Sequence, residues 1–271
     1  MKLASSLILY STTILASTAS LLSEEDESEN DIELIYSEVA YLQEEAELQT
    51  DLTFSYENDY DEGPNLDVMT TALEVEYGIS ERLTIGFELP YHRFTETEDD
   101  EEHTIKGLGD IEAEVAFNIT KERDDLPAVS ISAGMSLSTG ADDISIGTQE
   151  WELGLMLSKQ LQEGFFGHAF VSHEFANGIE EDDGEVDERE FSYGLGFNKE
   201  ITDSTWFVFE LFGMNEKEES QDEEETSQQF YVAPGVLYEN DSGLVIGFAI
   251  AIGLTEESYS SGSRIKLSYE F

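Results

Sequence analysis

The chain of 271 residues has no cysteine, 12 Lys and Arg against 62 Asp and Glu, and a formal net charge of -50. The lack of cysteine excludes disulfides and thiolate metal sites. The negative charge excludes nucleic acid as a partner, because it would repel the phosphate backbone. Such acidity is typical of disordered chains, but the 16 Phe and 12 Tyr must be buried or held against lipid. The length suits one β-barrel domain.

The first 19 residues are typical of a secretory signal. Lys2 precedes an apolar run over 7–15, and small residues follow up to Ala19. The run is shorter than the ~20 apolar residues that a membrane-spanning helix needs. We therefore expect cleavage near Ala19 and export of the rest of the chain.

Residues 20–46 form an acidic segment that contains a few apolar side chains, among them Leu34, Ile35 and Val39. We expect a periplasmic tail with a short ordered end. Two alternatives stay open, a short plug and an extra partial element of the barrel.

From residue 47 to residue 271, apolar and polar residues alternate with the period of a β-strand. In 82–89, for example, the odd positions are apolar and the even positions are polar or glycine. Each segment has the ~9–11 residues that a tilted strand needs to cross a bilayer. The pattern predicts about twelve strands, at 47–57, 67–79, 82–96, 107–121, 126–139, 147–162, 164–178, 187–200, 203–216, 226–239, 243–255 and 259–271.

Short and long connections alternate between these strands, as they do in outer-membrane barrels. The long connections are acidic, at 58–66, 97–106, 178–187 and 216–225, whereas basic residues lie beside short turns, at Arg82, Lys121, Arg123, Lys159 and Lys199. We therefore expect one antiparallel transmembrane β-barrel with short periplasmic turns, long acidic extracellular loops and both termini periplasmic. A soluble β-sandwich is disfavoured, because the polar faces of the strands are rich in glycine and serine.

The last five residues, 267–271, alternate and end on Phe271. This strand resembles the C-terminal strand of bacterial outer-membrane proteins, whose terminal aromatic belongs to the assembly signal. The resemblance implies the outer membrane of a Gram-negative bacterium as the location. It implies the barrel-assembly machinery, membrane lipid and lipopolysaccharide as partners.

Three motifs lie in order along the chain, at 77–91 (YGISERLTIGFELPY), 107–111 (GLGDI) and 133–140 (AGMSLSTG). Together they resemble the family named for the MetA pathway of phenol degradation. Ser138 stands where that family often has proline. The resemblance implies an outer-membrane barrel described as a transporter for aromatic or other hydrophobic compounds, and it implies no catalytic residue.

If the apolar positions face lipid, the alternating polar positions face the lumen. A lumen of one charge sign would concentrate cations. Equally, the same groups would form an interior network that fills a narrow barrel. Asp110, after two glycines, is also expected to fix strand geometry at the rim. The lumen-facing candidates are Glu74, Glu76, Glu88, Asp110, Glu112, Glu114, Glu150, Glu152, Glu210, Arg264 and Lys266.

The histidines give no enzymatic motif. Residues 173–178 (HEFANG) are similar to the His-x-Ser-Asn-Gly of outer-membrane phospholipase, but serine is missing from its place, so we interpret His173 as a structural histidine. His92, His103 and His168 have no metal-ligand spacing. We expect that the chain is not an enzyme and that it binds no cofactor. A lipid-modifying enzyme would need Ser or Asp within reach of His173 or His168.

The sequence therefore predicts a passive channel or transporter for small hydrophobic or aromatic solutes, which would diffuse through the lumen or sideways through its wall. The alternative is a non-conducting structural or surface-interaction barrel. The acidic loops, such as 98–102, 180–183 and 222–225, lack the spacing of a calcium loop. We expect them to hold divalent cations only loosely.

Overall fold

The computed structural model describes residues 33–59, 65–98, 101–181, 184–220, 224–240 and 242–271. The predicted signal and residues 20–32 lie outside this part of the chain. Within the described ranges, no helix is long and apolar enough to cross a membrane.

Strands account for most of the described residues, because the two-residue alternation continues along nearly the whole chain. They are β1 (Leu48–Asp59), β2 (Asn65–Ser80), β3 (Leu83–Glu98), β4 (Glu101–Leu108), β5 (Ile111–Thr120), β6 (Ala128–Leu137), β7 (Glu150–Gln162), β8 (Phe165–Glu181), β9 (Gly184–Thr202), β10 (Thr205–Glu219), β11 (Glu224–Glu239), β12 (Leu244–Gly253) and β13 (Ser261–Glu270).

The strands close into one antiparallel barrel. Sequence neighbours pair around the ring, and the first strand, β1, pairs with the last, β13, from Gln49 opposite Glu270 to Asn58 opposite Ser261. Closure pairs both edges of every strand in the ring, which is the condition for a sheet to lie in lipid. Among the described strands only β4 pairs on one edge alone, with β3. The prediction of a single antiparallel barrel of about 12 strands is confirmed.

The predicted strand 107–121 is wrong in its bounds, because two strands share this position in the wall. β3 pairs with β4 from Tyr91 to Glu98 and with β5 from Leu83 to Glu88. β4 and β5 are therefore successive pieces of one barrel strand, separated at Gly109 and Asp110. This break explains why 13 strands form a 12-stranded ring.

The two faces of the wall differ as the alternation predicts. Large apolar side chains point outward and are exposed, for example Phe87 (52%), Leu153 (56%) and Leu195 (49%). Their sequence neighbours point inward and are mostly small or polar, such as Glu152, of which 8% is exposed. The outward face is the surface that a lipid bilayer would cover.

Much of the sequence predicted as long acidic loops is paired strand. β3 and β4 stay paired up to Glu98 and Glu101, and β10 and β11 up to Glu219 and Glu224. The backbone N–H and C=O groups of these segments form strand hydrogen bonds whatever side chains they carry. The charged side chains on both faces of the hairpin ends stay in water. The longest described stretch between strands is instead 138–149, which joins β6 to β7.

Residues 33–46, which we call the lumen segment, lie inside the barrel as far as Gln43, and Glu44, Glu45 and Ala46 are exposed. Leu34, Ile35, Tyr36, Val39 and Ala40 are at most 1% exposed. Side chains from opposite parts of the ring hydrogen-bond to the segment, which only an interior position allows. The position of residues 33–43 is that of the short-plug alternative, and no periplasmic tail is seen among them. Residues 20–32 lie outside the described part of the chain, so the bounds 20–46 of the acidic segment stay a prediction. The apolar side chains of the lumen segment are buried against the inner wall instead of standing in water.

Candidate functional site: the filled lumen

The lumen segment has no regular secondary structure, so its buried backbone groups need partners from the wall. Glu210 on β10 accepts hydrogen bonds from the backbone N–H groups of Ile35 and Tyr36, each at 3.0 Å. Asn198 on β9 donates to the carbonyl of Glu33 at 2.6 Å. These bonds fix the first half of the segment in one conformation.

The second half is held in the same way at Ala40. Its N–H donates to Ser158 Oγ on β7 at 2.8 Å, and its carbonyl accepts from Ser130 Oγ on β6 at 2.7 Å. Asn118 on β5 donates to the same carbonyl at 3.3 Å. Three adjacent strands thus hold one residue of the segment.

Inward glycines make room for the segment. A side chain at Gly196 would collide with Leu34, and a Cβ at Gly235 would lie 2.9 Å from Ile35 Cδ1. At Gly78, a Cβ would overlap the carbonyl of Glu44. The small residues that the sequence places on the polar face of the strands therefore serve to accommodate the segment.

One side of the lumen is apolar. We call it the apolar wall, which consists of Phe170, Phe212, Met214, Tyr231, Ala233, Leu237, Ala249 and Ala251 on β8 and β10–β12. The ring of Tyr36 stacks on Phe212 at 5.3 Å between centroids, and Phe212 stacks on Tyr231 at 5.1 Å. Arg264 also lies over the Tyr36 ring, with its Cζ 4.4 Å from the ring centroid. Such stacked and cation–π contacts stabilise aromatic rings, here at the centre of the lumen.

Next to the apolar wall, the inner face carries carboxylates in two cross-strand rows that run from β1 to β10, which we call the acidic belt. Many of its members lie directly opposite one another, including Glu74 with Glu88, Glu152 with Glu174, and Glu174 with Glu190. Like charges in direct register oppose sheet pairing unless cations, protons or water compensate them. The belt comprises Asp51, Glu74, Glu88, Glu112 and Glu150 in one row and Glu76, Glu114, Glu152, Glu174, Glu190 and Glu216 in the other.

One buried lysine compensates part of this charge. Lys266 on β13 is 2% exposed and forms ion pairs with Glu33 at 3.2 Å and with Asp51 at 3.1 Å. Ser268 and Gln49 also donate to the Glu33 carboxylate. Glu33 therefore anchors the lumen segment to the seam between β1 and β13.

Small cavities remain beside the acidic belt. One of about 20 Å³ is lined by Glu112, Ser136, Glu150, Glu152 and Glu174. A second of about 10 Å³ lies between Phe170 and the carboxylates of Glu38, Glu152, Glu174 and Glu190. Each holds one or two water molecules at most.

Most of the predicted lumen residues lie either in the acidic belt or in contact with the lumen segment. Glu74, Glu76, Glu88, Glu112, Glu114, Glu150 and Glu152 lie in the acidic belt, while Glu210, Arg264 and Lys266 contact the lumen segment. Their part in solute passage stays a prediction. Five further inward residues, which were not among the predicted candidates although strand alternation places all of them on the inward face, are Asp51, Asn118, Ser130, Ser158 and Asn198.

Asp110 lies apart from these groups. It is half-buried at the β4–β5 break, where it accepts hydrogen bonds from the N–H groups of Thr139 and Gly140 at 2.6 Å and from Ser145 Oγ at 2.8 Å. Two of the sequence motifs thus bind each other, and Asp110 holds the 138–149 loop against the strand break.

Among the histidines, His173 is exposed and its Nδ1 lies 2.8 Å from the carbonyl of Glu190. His168 is buried, with Nδ1 2.8 Å from Ser158 Oγ. The geometric condition set for an enzyme is therefore met at His168. However, Ser158 also accepts the N–H of Ala40, so this pair holds the segment. No cluster of His, Asp or Glu in the described residues has the geometry of a metal site.

The closed antiparallel ring, with its apolar outward face, has the fold of an outer-membrane β-barrel. The family model described as "Putative MetA-pathway of phenol degradation" matches residues 63–271. The chain belongs to this family, and the resemblance drawn from its three motifs is confirmed. A search of curated proteins found no match.

Solved structures with the same fold include three outer-membrane barrels of low sequence identity. The COG4313 outer membrane channel from Pseudomonas putida F1 has a TM-score of 0.70 at 11% identity, covering 84% of this chain and 96% of that one. The β domain of the Bordetella autotransporter BrkA has a TM-score of 0.62 at 12% identity, covering 84% and 100%. The NanC porin has a TM-score of 0.57 at 12% identity, covering 81% and 98%.

Proposed function

We propose that the chain is a passive channel in the outer membrane of a Gram-negative bacterium, for small solutes that are hydrophobic or aromatic. The observation that carries the proposal is the mixed lining of the lumen, in which an aromatic, apolar wall adjoins a belt of carboxylates. The filling of the lumen is a segment held by side chains and not by sheet pairing. Such a segment can leave or shift while the barrel stays closed.

The apolar wall and the acidic belt each suggest how solutes would pass through the lumen. The stacked rings of Phe212 and Tyr231 offer an aromatic solute the contacts that Tyr36 makes in the filled state. The acidic belt lowers the free energy of cations in the lumen and raises that of anions. We therefore expect weak conductance, cation selectivity and reduction of the current by small aromatic solutes.

Planar-bilayer conductance of the refolded chain tests this proposal, with the reversal potential read across a KCl gradient and phenol added as a blocker. Phe212→Ala removes an inward ring, and Phe207→Ala removes an outward, exposed ring of the same strand. We expect phenol to reduce the current of the Phe207→Ala variant but not of the Phe212→Ala variant. A silent bilayer after correct insertion would contradict the channel and favour the non-conducting structural barrel.

The enzyme alternative has one observation in its favour, the contact between Ser158 and His168. Both side chains lie under the lumen segment and are at most 4% exposed. We infer that they act in holding the segment. Unchanged membrane lipid composition in a strain that expresses Ser158→Ala is the expected result.

A further inference from the structure

Glu38 is a residue of the lumen segment whose surroundings disfavour the burial of its own carboxylate. The side chain is 4% exposed and faces carboxylates on three strands, Glu76 on β2, Glu114 on β5 and Glu152 on β7. The cavity beside it adds Glu174 and Glu190, from β8 and β9. These are the charged groups that the described residues place around Glu38, and all of them are acidic.

The basic side chains in the lumen are engaged elsewhere. Lys266 pairs with Glu33 and Asp51, and Arg264 lies on the Tyr36 ring while donating to the carbonyl of Ile35. The buried Glu38 carboxylate therefore lies among like charges and forms no ion pair with the basic residues described in the lumen. A buried, unpaired charge of this kind costs several kcal/mol unless it takes up a proton.

We propose that Glu38 makes the lumen segment a proton-sensitive closure, docked while the Glu38 carboxyl holds a proton and released as that carboxyl ionises. The inference rests on the proposed function, since a closure has a role only in a barrel that conducts. It assigns the opening of the lumen to a single carboxyl on the segment itself.

The sign of the pH effect follows from the environment of this group. Burial raises the pKa of Glu38 well above its usual range, and the carboxylates of Glu152, Glu114 and Glu76 raise it further. In the released segment the group regains an ordinary carboxyl pKa near ~4.3. Docking is therefore strongest below that ordinary value and is lost as the pH rises through the raised value in the docked state.

A single introduced cysteine can report the position of the segment, because the chain has none of its own. We would place it at Ser37, which is 1% exposed in the docked segment. The measured quantity is the rate of reaction with a membrane-impermeant maleimide, on the full chain in liposomes. Ser260→Cys, at an exposed position, corrects each rate for the pH dependence of the thiol.

For Ser37→Cys we expect the corrected rate to rise about tenfold or more between about pH 5 and about pH 8, since each unit of pKa difference contributes a factor of ten. Adding Glu38→Gln should keep the rate low at every pH. Glu33→Gln is the matched control: the same change on the same segment, at the carboxylate that has a lysine partner. Burial raises the pKa of Glu33 to about 7, but the charge of Lys266 lowers it, whereas the carboxylates around Glu38 all raise the pKa of Glu38. Glu33→Gln should therefore raise the rate and leave the greater part of the pH dependence in place.

A rate that does not change with pH, or a slope that survives in Glu38→Gln and disappears in Glu33→Gln, overturns the proposal. If Glu38→Gln does not assemble, Glu114→Gln and Glu152→Gln provide the same test from the wall, and each should reduce the slope. Labelling does not require a current. A pH-dependent rate in a barrel that is silent in the bilayer would therefore support the closure while removing the proposed channel function.

Discussion

Glu33 and Glu38 lie on one short segment, and both are buried, at 3% and 4% exposure. Glu33 meets Lys266, Ser268 and Gln49, which all donate to it. Glu38 meets only carboxylates among the charged groups described around it. The segment is thus anchored by an ion pair at one end, whereas like charges oppose its burial in the middle. Its occupancy of the lumen is therefore a balance that single side chains can shift.

The largest effect is expected from the anchored end. Lys266→Met leaves Glu33 and Asp51 buried without a cation, and removal of one partner of a buried ion pair costs about 3–5 kcal/mol. We expect a loss of this size in the free energy of unfolding, measured by urea titration in detergent, together with fast labelling of a cysteine at position 37. Wild-type stability would contradict the anchor.

A smaller effect is expected where the wall binds the backbone of the segment. Glu210→Ala removes the acceptor for the N–H groups of Ile35 and Tyr36, and a buried donor left without a partner costs about 1–3 kcal/mol. The segment should loosen, so the conductance should rise while the barrel stays assembled. Glu163→Ala, in the exposed turn between β7 and β8, is the control and should leave the current unchanged.

The smallest effect is expected at the rim, where an ion pair of the same chemistry is solvated. Lys121 lies 3.3 Å from Glu81, but the two side chains are 51% and 75% exposed. Exposed pairs contribute about 0–1 kcal/mol, so Lys121→Met should change the free energy of unfolding much less than Lys266→Met. Equal losses in the two variants would mean that burial does not set the strength of the anchor.

The barrel was predictable from the sequence because its strands and turns are determined by residues that are close together in the chain. Alternation fixes the face of each residue, and turn residues such as those at 80–82 and 162–164 fix where strands end. The β4–β5 break was missed, since Gly109 and Asp110 look like the start of a strand when no partner is known. The acidic hairpin ends were missed because their charge suggested loops.

The lumen segment was harder to predict for a different reason. Its apolar side chains, such as Leu34 and Ile35, show only that burial is needed somewhere, and an irregular segment has no period to show its partner. The partners, Ser130, Asn198 and Glu210, are common residue types at scattered positions, and only ring closure brings them together. Inward glycines such as Gly196 were the available signal, because they mark places where something packs closely.

The most direct test is the single-channel conductance of a chain that lacks residues 20–43, compared with the full chain in the same bilayer at about pH 5, where the segment is docked. The cut keeps Ala46 and Glu47, which hydrogen-bond with Gly78 in the wall. The account predicts a conductance several-fold larger, with cation selectivity retained because the acidic belt remains. An unchanged conductance in a correctly assembled barrel would contradict the claim that the lumen segment closes the lumen.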